Sequence, residues 1–206
     1  PQGMYDCRMI SRRTTILGLL AVAISLTIGV TLGAVAGYKG GVVDTIIMRI
    51  MDGLMAIPAI LLAIAMVSLF RSSVLTVIIA ITVPQIPGVV RLVRSIVLSV
   101  REEPYVEAAV TLGTSTPKLL WRHVLPNSLT PVIALAALQF GSAILQISTL
   151  GFLGYGAPPP TPEWGLLISE GRNYVATAWW LTVLPGLVVV FVVLATNRLS
   201  QAIRGG

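Results

Sequence analysis

The chain holds one imidazole, His123, and one thiol, Cys7, against eight carboxylates. A lone histidine with no second ligand type at metal spacing does not make a zinc site, so His123 reads as packing rather than as a ligand. A single cysteine closes no internal disulfide and builds no cysteine zinc site. No GxSxG or HExxH run marks a hydrolase, and no GxxxxGK[ST] run marks a nucleotide loop. The remaining polar groups sit in apolar surroundings. Arg49 and Asp52 are three apart and can pair on one helix; the sharper alternative puts Asp52 in a solute route, because charges within a membrane are often functional. Gln85, Gln139 and Gln146 are uncharged amides at depth. They either line a polar route or hydrogen-bond neighbouring helices, and the sequence leaves both open.

The elements that carry these groups follow from composition. The chain is 55% hydrophobic and 11% charged, with mean hydropathy +0.90, whereas soluble domains carry roughly 25% charged residues. This is an integral membrane protein. A span needs about 20 apolar residues, and five segments qualify: 14–37, 45–70, 74–100, 128–150 and 179–199. All are expected to be helical, since lipid offers no partner to an open backbone. The third contains Pro84-Gln85-Ile86-Pro87-Gly88, which is expected to kink or unwind it. Gly29, Gly33 and Gly37 recur every four residues; that spacing lets helices approach closely, most simply within a pair of such chains.

Five spans put the chain ends on opposite sides. If residues 101–127 are cytoplasmic, Lys39, Arg49, Arg91, Arg94, Arg101, Lys118, Arg122, Arg198 and Arg204 lie inside or at the inner boundary. Arg8, Arg12, Arg13, Arg71 and Arg172 then lie outside. The excess of basic residues favours that orientation, although three of the outer arginines cluster near the N-terminus. The net charge of +6 does not indicate nucleic acid, because no Lys/Arg cluster is interleaved with aromatics. Residues 151–178 contain Pro158-Pro159-Pro160, a stiff extended run, and Trp164, Tyr174, Trp179 and Trp180 suit an interfacial belt. The segment is expected on the outer face, ordered and partly re-entrant, as an anchored loop more than a solute contact.

Between the third and fourth spans lies EAAVTLGTSTPKLLWRHVLPN, residues 107–127. Pro104 can open a helix beside Glu102 and Glu103. Tyr105, Ala108, Ala109 and Leu112 form one apolar stripe at helical spacing. Gly113 permits a sharp turn, and Thr114, Ser115 or Thr116 can cap a second short helix beginning near Pro117. That helix presents Leu120, Trp121 and Val124 before Pro126 closes it. Two short amphipathic helices too polar to span are built to lie on a membrane surface or a partner protein.

At these residues the chain resembles a known family. Glu107-Ala108-Ala109, three residues, Gly113, then Leu125-Pro126 is similar to the EAA signature of permease subunits of binding-protein-dependent ABC importers. Arg122-His123-Val124-Leu125-Pro126-Asn127 resembles the dipeptide, oligopeptide and nickel branch. GLLAVAISLTIGVTLGAVAGYKGG (18–41), MRIMDGLMAIP (48–58) and GFLGYGAPPPTPEWG (151–165) match in order as well. The resemblance implies an all-α polytopic transmembrane domain over residues 1–206, with 1–13 as an outer segment, 101–127 as the cytoplasmic EAA loop and 151–178 as an outer segment. Permeases of this branch usually have six spans. Here five are visible, the chain opens on Pro1 rather than Met, and residues 1–13 match the family's first outer segment poorly.

The implied function is half of a translocation pore that imports di- or oligopeptides, or alternatively nickel or another solute. The implied coupling residues are Glu107, Ala108, Ala109, Gly113, Leu120, Trp121, His123, Leu125 and Pro126; the pathway candidates are Gln85, Gln139, Gln146 and Asp52. The chain itself needs no cofactor, since ATP and Mg belong to partner ATPases. The implied partners are a second homologous permease, two cytoplasmic ATPases, an extracytoplasmic solute-binding protein and membrane lipid. A bacterial or archaeal cytoplasmic (inner) membrane is the implied location. The competing readings are a membrane-embedded hydrolase, which lacks the motifs above, and a passive channel, which leaves the docking segment unexplained. Co-purification with an ATPase separates the first reading from hydrolysis by the isolated chain.

Overall fold

The computed structural model describes residues 2–70, 73–104, 106, 125–156 and 163–205, with side chains from residue 12 onward except those of 125–129 and 204–205. Among these residues every regular element is helical. The helices are α1 (Gln2–Lys39), α2 (Gly41–Ala56), α3 (Ala59–Phe70), α4 (Val74–Arg101), α5 (Leu125–Phe152), α6 (Trp164–Gly171), α7 (Val175–Ala178) and α8 (Trp180–Gly205), with a 3-10 turn at Arg172–Tyr174 before α7. Four stretches are long and apolar enough to cross a membrane: Arg12–Lys39, Val74–Arg101, Thr130–Phe152 and Trp180–Ile203. Residues 2–13, expected as a separate outer segment, continue α1 without a break.

The second expected span is not one helix. α2 and α3 meet at an 88° bend. Pro58 disfavours helical geometry at the residue before it, and Ile57 is extended at φ −96° and ψ 127°. The carbonyl of Pro58 then accepts the first bond of the new helix, from Leu62 N–H at 3.1 Å. At the other end of α2, Gly40 and Gly41 take φ of 63° and 56°, left-handed geometry that favours glycine. The third span is not unwound at its prolines. Pro84 and Pro87 lie inside α4, yet the helix continues through both without unwinding. Its flanking turns are held by packing on α1, and apolar surroundings favour keeping the other backbone bonds closed. Ser73 opens α4 by accepting the Thr76 N–H at 3.1 Å.

The glycine stripe of α1 explains that packing and corrects a second expectation. A Cβ on Gly33 would lie 2.7 Å from the Val90 carbonyl oxygen, and one on Gly37 would lie 2.8 Å from Val97 Cβ. Gly29 faces Val89 just as closely. The stripe is therefore used inside the chain, against α4, rather than between two chains. Residue numbers rise together along both helices, so α1 and α4 run parallel, and the bent pair α2–α3 must return the chain between them.

Two apolar clusters record this order. Ala21 and Val22 meet Ala63, Val67, Val77, Ile81, Ile147 and Leu150. Val89, Val93 and Val97 meet Val30, Ala34, Val132 and Leu135. α5 thus runs antiparallel to α4, and α8 returns along α5, where Gly141 faces Thr196. Among the described residues four helices are long and apolar enough to cross, and the bent pair α2–α3 makes a fifth candidate pass. The ends of α1 and α4 lie together on one face, where Arg101 Nη1 donates to the Tyr38 carbonyl at 3.4 Å.

Candidate functional site

Polar groups gather at two levels of the bundle. At the face where α1 and α4 end, α2 turns two carboxylates toward α4. Arg94 grips Asp44 with both Nε to Oδ1 at 2.5 Å and Nη2 to Oδ2 at 2.6 Å. Arg91 Nη2 meets Asp52 Oδ1 at 2.5 Å. The expected pairing of Asp52 with Arg49 on its own helix is not formed. α4 lies against the side of α2 that carries Asp52, so a cross-helix partner takes the place of the local one. The Asp44–Arg94 pair is the more sheltered, with side chains 17% and 30% exposed against 51% and 44% for Asp52–Arg91. Arg49 is exposed and joins no ion pair among the described residues. It borders an open recess of about 280 Å³ with Asp44, Thr45, Met48, Asp52 and Arg94.

Deeper in the bundle the amides converge. Gln139 Nε2 on α5 donates to the backbone carbonyl of Gln85 on α4 at 2.9 Å, and Ser25 Oγ on α1 donates to Gln139 Oε1 at 3.2 Å. Gln139 therefore ties three helices at one level, the interhelical role that polar groups take in an apolar medium. Among the described residues, the side chain of Gln85 is buried with neither amide atom bonded, and Gln146 Oε1 is likewise buried and unbonded. Buried amide atoms without partners are uncommon and call for an explanation. Just below, Gly88, Leu92, Pro131, Leu135 and Leu138 border a small apolar recess between α4 and α5.

Glu107, Ala108, Ala109, Gly113, Leu120, Trp121 and His123 lie outside the described residues. The elements on either side of them are clear. α4 ends at Arg101, where the Glu102 N–H bonds to the carbonyls of Ser99 and Val100. Val106 is buried beneath Val97 and Val100, and its N–H bonds Glu103 O at 2.9 Å. Leu125 and Pro126 begin α5. Pro126, expected to close a preceding helix, lies within α5.

Three features escaped the sequence reading. Asp44 carries no motif, and Arg91 and Arg94 count in the sequence only as orienting charges. Their signal was available as two acids eight apart on one helix and two arginines three apart on another. The third is Glu163, a buried carboxylate just before α6. A Cβ on Gly151 would lie 3.0 Å from its Oε2, and Gly156 lies against the same atom. The glycines of GFLGYG leave room for that carboxylate, which packs the start of α6 against the end of α5. After α6 the aromatic residues Tyr174, Trp179 and Trp180 are exposed, and the two indoles meet edge to face with centroids 6.1 Å apart.

Comparison with known proteins gives this arrangement its family. Residues 29–204 match the description of a binding-protein-dependent transport system inner membrane component. The chain is 44% identical to the dipeptide transport system permease protein DppC of Alkalihalophilus pseudofirmus, over 91% of this chain and 62% of that protein. It is 41% identical to the di/tripeptide transport system permease protein DppC of Pseudomonas aeruginosa, over 94% of this chain and 64% of that one. It is 42% identical to the probable D,D-dipeptide transport system permease protein DdpC of Escherichia coli, over 94% and 65%. The chain thus spans just under two thirds of the length of these relatives. Its fold is similar to that of an amino acid ABC transporter, with TM-score 0.71 over 98% of this chain and 94% of that one at 12% identity. It is also similar to the MetNI methionine ABC transporter in inward facing conformations, with TM-score 0.63 over 94% and 96% at 19% identity. The chain belongs to the family of binding-protein-dependent transport system inner membrane components and is a multi-pass protein of that membrane.

Proposed function

We propose that the chain is the permease subunit of an ATP-driven importer of di- or oligopeptides, contributing half of the translocation pore. The observation that carries this reading is the level of identity to dipeptide permeases along more than nine tenths of the chain. The fold supports it. The end of α4, from which the 101–127 segment departs, lies on the same face as the end of α1, where the Lys/Arg excess lies, which favours that face as the cytoplasmic one. Residues 1–13 and 151–178 then belong to the outer side.

The coupling contact is assigned to Glu107, Ala108, Ala109, Gly113, Leu120, Trp121, His123, Leu125 and Pro126. The segment lies in the chain between α4 and α5. A push on it therefore reaches two packed helices at once. ATP and Mg are held by separate ATPase subunits, a second homologous permease completes the pore, and an outer solute-binding protein delivers the cargo. The solute route is assigned to Gln85, Gln139 and Gln146 at depth, with Asp52 at its inner end. The unbonded amide of Gln85 and the unbonded Oε1 of Gln146, among the described residues, support it, since a free donor and acceptor on Gln85 match a peptide bond or a water.

The test is Gly113→Val in the purified complex with its ATPases. A branched side chain at a tight turn is strained, by on the order of 1–3 kcal/mol where φ is positive, while the membrane helices do not depend on that turn. The substituted chain is expected to insert normally and to lose ATPase attachment or to uncouple hydrolysis from peptide uptake. Normal stoichiometry, hydrolysis and uptake together would remove the segment from the coupling role. A binding screen of the cognate solute-binding protein with peptides and nickel decides the cargo.

A further inference from the structure

Three observations at the inner end of the bundle converge on α2. First, α2 is an arm between two hinges. Gly40 precedes it and Gly41 opens it, both at positive φ, and a Cβ on Gly41 would meet nothing within 4 Å; the 88° break at Ile57-Pro58 stands after it. Second, its hold on α4 is uneven. Asp44 is gripped at two points by Arg94 in a sheltered position, whereas Asp52 has a single contact with Arg91 in an exposed one. Third, a competitor for Asp52 is already in place. Arg49 lies one helical turn before it, borders the same recess and has no ion pair among the described residues. Residues three apart on a helix are neighbours able to pair.

We propose that Asp52 is the moving half of a two-position latch. Asp44–Arg94 is the fixed pivot, and Asp52 passes from Arg91 on α4 to Arg49 on its own helix as α2 swings. Exposed single-contact ion pairs are individually weak, so two alternative arginines for one carboxylate give positions close in free energy. A bidentate guanidinium–carboxylate pair holds its geometry better, which suits a pivot. Arg91 and Arg94 lie seven to ten residues before the end of α4, about 10–15 Å along the axis. A displacement of α4 by the segment that follows it would therefore act on the latch within three turns. This deepens the proposed coupling role of residues 101–127 and rests on it: the latch makes Arg49, Arg91 and Asp52 positioning residues that open the inner end of the route.

The experiment uses the full complex with its ATPases in lipid nanodiscs and Cys7 replaced by Ser. Spin labels at Met55, beyond Asp52 on the moving end of α2, and at Ser95, both exposed, report the α2–α4 distance, and a second pair at Ser115 and Arg101 reports the coupling segment. With ATP, the α2–α4 distance distribution is expected to shift to a second population. Arg49→Gln should abolish that population and lower peptide uptake per ATP hydrolysed at least fivefold, with ATPase attachment unchanged. Arg49→Lys should restore both, and Arg91→Gln should populate the second position without ATP. A response at Ser115 with no shift between α2 and α4, or a shift that survives Arg49→Gln, overturns the latch and leaves the coupling reading standing. Silence at both label pairs overturns the latch together with that reading.

Discussion

Gly33 is the residue whose smallness the bundle needs most plainly. Its missing Cβ lets α1 approach the backbone of α4, with the Val90 carbonyl, Val93 Cβ and the Arg94 N all within 3.2 Å of where that atom would stand. A larger side chain has no flexible neighbour to displace. Gly33→Leu is expected to destabilise the detergent-solubilised chain by at least the 1–3 kcal/mol typical of overpacking, read as a lower thermal midpoint. Gly53→Leu, at a position with open space around its Cβ, should leave that midpoint nearly unchanged. Equal effects would mean that the stripe does not set the α1–α4 contact. The stripe was visible in the sequence as a spacing, but spacing does not name the helix it meets. Asp52 teaches the same lesson. A local rule pairs it with Arg49, whereas α4 brings Arg91, and no periodicity along α2 could reveal a partner 39 positions away.

Among the elements, the passes were legible because a membrane leaves the backbone almost no choice but helix. Their internal shape was less so. Hydropathy reads residues 45–70 as one apolar run and is blind to the break at Ile57-Pro58. The paired prolines of α4 do not unwind it, because the packing of Val89, Val93 and Val97 on α1 is invisible to a proline rule. The bend is measurable. Between exposed Val42 and Leu69, a straight helix would span roughly 40 Å at 1.5 Å per residue. Two arms at a right angle bring the ends to roughly 29 Å on the same rise. A spin-label distance near the shorter value is expected in nanodiscs, and one near the longer value would show a continuous span.

For the whole molecule, the parallel course of α1 and α4, the antiparallel course of α5 and the return of α8 fix which ends share a face. They put the end of α4, the start of α5 and the C-terminal end of α8 together, opposite the N-terminal end of α1. In spheroplasts, a membrane-impermeant thiol reagent is therefore expected to label Cys7 but not a cysteine introduced at Ser115. Labelling of Ser115→Cys from outside a sealed membrane would reverse the topology. Composition and motif order made the class of protein readable before any coordinates, whereas the cross-helix ion pairs, the Ser25–Gln139–Gln85 tie and the seat of Glu163 depend on contacts between distant segments. The central claim, that this chain is a pore-forming subunit driven by separate ATPases, is tested most directly by uptake of labelled dipeptide into proteoliposomes. The complex of both permeases, ATPases and solute-binding protein should accumulate peptide only with ATP inside the compartment holding the ATPases, and omission of this chain should abolish accumulation. Undiminished ATP-driven uptake without it, or ATP hydrolysis by this chain alone, would contradict the account.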